Sequence, residues 1–182
     1  MTIPFTDFEM GVLKLLNVAL SQIRPNSWAF ICGFKILCQA MGLEPSVGVF
    51  FHFYGTKDVN KGTWISISAH PREQLFPPYP SNFKKDWQDS FARVQGAPEC
   101  SIASIMVNGQ PKFPLRWTYN LVVVMSYDFK KMTEYEQGVV CFLEKFPLIN
   151  IYDLLDKEGD TKSLEDYLRE CFPNIFKPLF YF

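Results

Sequence analysis

At 182 residues, 48% of them apolar and 20% charged, the chain is long enough to close a hydrophobic core without a metal or a disulfide framework. Its 18 Phe, 8 Tyr and 4 Trp make ring burial the expected main source of stability. The formal charge of −1 divides into +3 over residues 1–118 and −4 over 119–182, and neither half approaches the concentrated basic field of a dedicated nucleic-acid binder.

The first element starts at Thr6-Asp7-Phe8-Glu9, a capping box with Phe5 and Met10 placed for the hydrophobic staple across it. Periodicity then predicts a helix burying Phe8, Val12, Leu15, Leu16 and Ala19 and ending near Ser21 to Arg24. Pro25 suits the first turn of a second helix, and Asn26 or Ser27 can accept a hydrogen bond from the orphan amides there. Over Ser27 to Met41, Phe30, Phe34, Leu37 and Met41 share one face. Trp28, Ile31 and Cys38 widen the stripe until only Lys35 and Gln39 remain polar and in need of water. Gly42 can take the left-handed conformation past the helix end, and Pro45 prevents a restart. The two helices form an αα-hairpin, helix-turn-helix-like in connection. The second, with Lys35 as its one basic residue, lacks the exposed polar face of a DNA-reading helix.

From Val47 the apolar period changes to two. Val49, Phe51 and Phe53 alternate with Phe50, His52 and Tyr54, and after a loop from Gly55 to Gly62, Ile65 and Ile67 alternate with Trp64, Ser66 and Ser68. Two strands of a hairpin are predicted. Pro71 to Pro80 is a proline-rich connector, Ser81 to Asp89 suits a short helix, and Ser90 to Gln95 a third strand. Leu121 to Met125 reads as a buried strand. Beyond it Thr133 caps a helix with Glu134 and Glu136 in the first turn and Val139, Val140, Leu143 and Phe146 on its buried side, stopped by Pro147. Ile151 to Leu155 and Ser163 to Cys171 read as two short helices around the acidic loop Asp156 to Asp160. The expected fold is a single α+β domain over 1–182, with helices flanking a small antiparallel sheet, a meander of about three strands, and a helical C-terminal segment.

The cysteines at 32, 38, 100, 141 and 171 make an odd set without a C-x-x-C pair. Cys32 and Cys38, about 600° apart around one helix, face different ways. Reduced thiols in an intracellular protein, nuclear or cytoplasmic, follow. A signal peptide and a run of 18 apolar residues are both missing, which disfavours secretion and membrane spanning.

The spaced string Asn26-x-Trp28-x-Phe30-x-x-x-Phe34-x-x-Leu37-Cys38-x-x-x-Gly42-x-x-Pro45-Ser46 resembles the plant family known as the putative gypsy-type transposon, or transposase, domain. The resemblance continues through Phe50-Phe51-His52-Phe53-Tyr54 and Gly62-Thr63-Trp64-Ile65-Ser66-Ile67-Ser68 with Pro71. It then takes in Leu75-Phe76, Ser81-Asn82-Phe83-Lys84-Lys85-Asp86-Trp87 with Phe91 and Val94, and Phe113-Pro114-Leu115-Arg116-Trp117-Thr118. It covers residues 5–155 in approximate terms; 156–182 departs from the family, whose members commonly continue into long charged helices, and reads as a divergent or truncated end. The order of the blocks, each aromatic and proline-rich, carries the resemblance. It implies a retroelement origin and a more loop-like segment at Leu121 to Met125, and leaves the activity undefined.

A transposase would hold two divalent ions on three carboxylates. Asp58 in a loop, Asp86 and Asp89 beside Trp87, and Asp128 after the strand at Leu121 to Met125 compose no such set. The protease signature D-[ST]-G is absent, since Gly159-Asp160-Thr161 has the wrong order, and Tyr127-Asp128 lacks the second aspartate of a reverse-transcriptase turn. His52 and His70 are far apart, as a strand-surface and a loop residue, and give no zinc knuckle. Nucleotide-binding glycine motifs are absent. No catalytic, metal or cofactor residue is therefore assigned, and no cofactor, membrane or small-molecule substrate is expected. Lys57, Lys61, Arg72, Lys84 and Lys85 lie among Trp64, Tyr79, Phe83 and Trp87, a combination that can stack single-stranded bases if the rings face solvent beside the lysines. The expected function is a non-catalytic module for assembly or protein-partner binding, self-association included. Weak nucleic-acid binding through Lys57, Lys61, Arg72, Lys84, Lys85 and Trp87 is the alternative.

Overall fold

Thr6 opens the first helix as the sequence predicts. Its Oγ1 accepts from the Glu9 amide at 3.3 Å, while Glu9 Oε2 accepts from the Thr6 amide at 2.7 Å. The computed structural model describes residues 5–59, 63–71, 74–77 and 106–173. In α1, Asp7–Leu16, the buried face carries Phe8, Val12, Leu13 and Leu16, so Leu13 takes the inward place expected of Leu15, which is exposed. A 3₁₀ turn, Leu20–Gln22, leads into α2, Pro25–Ala40.

Pro25 occupies the first turn of α2, but neither Asn26 nor Ser27 caps it; the N-cap is Arg24, without a side-chain bond. Ser27 Oγ instead accepts from the Ile67 amide at 2.8 Å, which pins the helix to the sheet. At the far end Gly42 has φ 65°, the Leu43 amide reaches Cys38 O at 2.8 Å and the Gly42 amide reaches Gln39 O at 3.1 Å. This is the Schellman arrangement.

Val47–Phe53 is a helix, α3, and not the strand that its alternation suggested. A short apolar run has no diagnostic period, because a segment buried on all sides reads the same as helix or strand. Two features decide here. Ser46 Oγ accepts from the Gly48 amide as an N-cap, and Val49, Phe50, Phe51 and Phe53 are all buried, which only a helix with its backbone bonded internally accommodates without a neighbouring strand. The hairpin is accordingly displaced: β1 is Tyr54–Val59, part of the expected loop, and pairs antiparallel with β2, Trp64–Ala69, from Tyr54↔Ala69 to Val59↔Trp64. A second hairpin joins β3, Met106–Val107, to β4, Gln110–Pro111, through Asn108 and Gly109, both at positive φ as a primed turn requires. The described residues thus form an α+β structure with two two-stranded antiparallel sheets. The helix expected at 81–89 and the third strand at 90–95 lie outside them.

The helices that follow are α4, Glu134–Leu143, with the Thr133–Glu136 capping box, then α5, Ile151–Asp156, and α6, Thr161–Cys171. Val139, Val140, Leu143 and Phe146 are buried as expected. α2 runs through the middle. On one side it meets α5 so closely that a Cβ on Gly33 would lie 2.8 Å from Ile151 Cγ1; on the other it meets β2. α3 packs on α1, where a Cβ on Gly11 would lie 2.9 Å from Val47 Cγ2. The centre is aromatic: the Phe34 ring lies 5.4 Å from both Phe8 and Phe50, and Phe50 stacks on Tyr54 at 4.8 Å.

Lys35 corrects the sequence reading most sharply. Expected in water, it is only 6% exposed, and its Nζ lies 3.0 Å from Glu9 Oε1 and 3.2 Å from Glu158 Oε1. Burial pulls its pKa down, but the hydrogen bonds and charges of the two carboxylates outweigh that, and the net shift is upward. The stem packs in the core while the ammonium ties α1, α2 and the α5–α6 loop together.

Candidate functional site

Of the residues assigned to a nucleic-acid surface, Lys57 is described: it is exposed on β1, opposite Ser66. Lys61, Arg72, Lys84, Lys85 and Trp87, with Tyr79 and Phe83, lie outside the described residues. Trp64 is half-buried and packs edge-on against Trp117 at 4.8 Å. Asp58 belongs to β1 and not to a loop, and His52 lies on α3 and not on a strand, its Nε2 3.6 Å from Glu144 Oε1. Among the described residues no group of three or more His, Cys, Asp or Glu side chains could hold a metal ion. Burial pushes the Cys32 thiol up to about 11 and raises Cys38 further, the reverse of what a thiolate nucleophile needs. No helix among the described residues is long and apolar enough to cross a membrane.

A groove of about 410 Å³ opens between α1 and the β3–β4 hairpin. Its charged lining includes Asp7, Lys14 and Lys112, and Lys112 Nζ already lies 3.1 Å from Asp7 Oδ1. That pair is exposed and contributes little.

The unusual feature is residues 115–125, which run along the outside of α1 and β1 as a strap. Sequence reasoning expected a buried strand at Leu121 to Met125, and the strap is neither buried nor a regular strand. Leu121 and Val124 are half-buried against the core, but Leu115 is 50% exposed, Trp117 37%, Tyr119 83%, Val122 43%, Val123 44% and Met125 72%. The reason is the backbone. An extended segment can be buried only when both of its edges find partners, and the strap is bonded along one.

That edge is well held. Gln22, fully buried, accepts from the Thr118 amide at 3.0 Å and donates to Thr118 O at 2.8 Å, as a backbone would. Thr118 Oγ1 donates to Asn17 O at 2.6 Å, Asn17 Nδ2 donates to Asn120 O at 2.8 Å, and the Val122 amide reaches Leu16 O at 2.9 Å. Thr56 contributes three bonds: its amide donates to Val124 O and its Oγ1 accepts from the Val124 amide, both at 2.7 Å, and Oγ1 also donates to Val124 O at 3.2 Å. A Cβ on Gly55 would lie 2.7 Å from Met125 O, so the strap's approach to β1 requires glycine there. The sequence signal for the strap was its run of Leu121, Val122, Val123 and Val124; its one-sided anchoring by Gln22, Asn17 and Thr56 had none.

Residues 1–58, the stretch of α1, α2, α3 and β1 through Asp58, match the family model described as Putative gypsy type transposon. That stretch is what the chain shares with the gypsy-type transposon family. The matched stretch contains the Thr6–Glu9 capping box and Gly42, together with Asn17, Gln22, Gly55 and Thr56, the residues that receive the strap. The strap itself lies outside it. No curated protein and no solved structure matches the chain.

Proposed function

We propose that this gypsy-type transposon-derived domain is a non-catalytic module that works by assembly or protein-partner binding, and that the strap is its contact surface. One observation carries this: large apolar side chains stand outward from a segment whose backbone is fixed to the domain at Thr118, Asn120, Val122 and Val124. A contiguous exposed apolar patch on a soluble domain marks an interaction site. Held as it is, it loses little conformational freedom on binding. Arg116 is the strap's one charged side chain, which suits a protein surface better than a phosphate backbone.

Light scattering on the purified chain, with Tyr119→Asp and Met125→Asp combined, tests the reading. The parent should associate with rising concentration and the variant should stay monomeric with an unchanged melting temperature. Equal association of the two would remove the strap from the function. The non-catalytic half has its own test, since nicking of DNA in Mg²⁺ or Mn²⁺ that is lost on Asp128→Asn would make the domain an enzyme.

A further inference from the structure

At the tip of the β3–β4 hairpin stands Asn108-Gly109, the sole Asn-Gly step in the sequence, with both residues exposed. Their φ of 51° and 75° suits a primed turn, a conformation that Gly, Asn and Asp tolerate best. This pair can react with itself if three conditions hold. The Gly109 amide must be free to lose its proton, and among the described residues neither it nor the Asn108 side chain has a hydrogen-bond partner. The approach to the Gly109 nitrogen must be open, and a Cβ built on Gly109 meets nothing within 4 Å. The turn must also rotate that nitrogen toward Asn108 Cγ, which the hairpin resists weakly. It consists of the pairs Val107↔Gln110 and Met106↔Pro111, and Pro111 has no N–H to give the ladder. A two-stranded hairpin of this size is marginal by itself, so local opening costs little.

We propose that Asn108 is a site of self-modification, at which its side-chain amide is lost to the Gly109 nitrogen and the turn is rebuilt. The Gly109 nitrogen gives up its proton and bonds to Asn108 Cγ. The Cγ–Nδ2 bond breaks and ammonia leaves, closing a five-membered succinimide. Water then opens the ring. Opening at Cγ leaves aspartate in an unchanged main chain; opening at the main-chain carbonyl leaves isoaspartate, joined to Gly109 through Cγ. Water enters and ammonia departs, so the step needs no oxidant or reductant.

Other described asparagines lack these conditions. Asn17 also has positive φ, but its Nδ2 donates to Asn120 O and the Val18 amide that follows is bonded to Leu13 O. Asn26 lies in α2, and Asn150 Oδ1 is held by the Tyr152 amide. Asn120 precedes Leu121, whose side chain crowds the attacking nitrogen. At Asn108 the isoaspartate product has a main chain one carbon longer, so the two-residue loop no longer closes Val107 onto Gln110. The groove against α1 then loses the wall formed by Val107, Gln110, Pro111 and Lys112. Phe113, buried and 5.8 Å from the Phe5 ring, fixes the chain beyond β4, so the strap keeps its anchors and the site acts independently of it.

Peptide mass mapping of the full chain, incubated at physiological temperature and mildly alkaline pH, tests the proposal. Asn108 should become the acid before Asn17, Asn26, Asn120 or Asn150, at a rate within about tenfold of the urea-denatured chain, as easy local opening requires. Electron-transfer fragmentation should find isoaspartate there. In the chain that carries it, the Gln110 amide should lose its exchange protection while the Val122 and Val124 amides keep theirs. Asn108→Asp, which adds the charge without the extra carbon, should retain the Gln110 protection, and Asn108→Gln, whose ring would need a sixth member, should stay unmodified over the same period. A folded chain that reacts more than about tenfold slower than the denatured one would overturn the proposal. So would an isoaspartate chain in which Gln110 stays protected.

Discussion

Two regions of similar apolar content treat water in opposite ways. In α1 to α3, Phe8, Phe34 and Phe50 are buried and interlocked, and even the ammonium of Lys35 is enclosed between carboxylates. In the strap, Tyr119 and Met125 stand in solvent. Apolar composition does not decide the difference. A helix satisfies its own backbone, so all its faces are free to pack. The strap must borrow partners from Gln22, Asn17 and Thr56, and it finds them along one edge.

The largest effect that can test this contrast is in the helical core. Phe34→Ala should destabilise by about 3–5 kcal/mol through lost transfer and the cavity left between Phe8 and Phe50. An unchanged denaturation midpoint would mean the aromatic cluster is not the core. Lys35→Met comes next, at about 3 kcal/mol, because Glu9 would be left buried with only the Thr6 bonds. The sign with pH follows from the upward shift of Lys35: its contribution is fully present below its ordinary 10.5 and is lost as pH rises through the higher folded value. Alkaline melts should therefore separate parent from Lys35→Met only below that range.

Gly55→Ala attacks the junction of the two regions. The added Cβ meets Met125 O, so we expect a loss of about 1–3 kcal/mol and faster exchange of the Val124 amide, with the α2 amides unaffected. A smaller effect comes from Glu136, whose hydrogen bond from the Ser46 hydroxyl ties α4 to α3 and, with the Thr133 bonds, holds its pKa below the ordinary 4.5 against the opposing effect of burial. A lowered carboxylate stabilises at and above its ordinary value and loses that contribution as pH falls through the lower folded value. Glu136→Gln should remove this part of the acid dependence and little else. Smallest of all, Tyr119→Asp alone should leave stability within about 0.5 kcal/mol, the usual range for a surface position. Any larger loss at dilutions where the parent is monomeric would show that Tyr119 packs against its own chain.

The same contrast explains what could be read in advance. Thr6–Glu9, Thr133–Glu136 and Gly42 are local signals, since a cap needs only residues a turn away, and α1, α2 and α4 start or stop where those residues say. Val47–Phe53 has such a cap in Ser46, but its alternating apolar run hid it, because a segment buried on all sides has no diagnostic period. Lys35 looked exposed because Glu9 and Glu158 are distant in sequence, and no helical period can announce a partner over a hundred residues away. The basic surface was legible as composition, but Lys57 is its one described cation, exposed on β1.

Association measured against salt tests the central claim most directly. Apolar burial is not screened, so the concentration-dependent increase in scattering mass should persist or strengthen from low to high salt, while RNA and DNA bind no better than micromolar at physiological salt. Contact through Lys57, Lys61, Lys84 and Lys85 would instead give an affinity falling with a log–log slope of about −3, as four phosphates of a single strand require. Tight, salt-sensitive nucleic-acid binding that is abolished by Lys84→Glu with Lys85→Glu, in a chain monomeric throughout, would contradict the account.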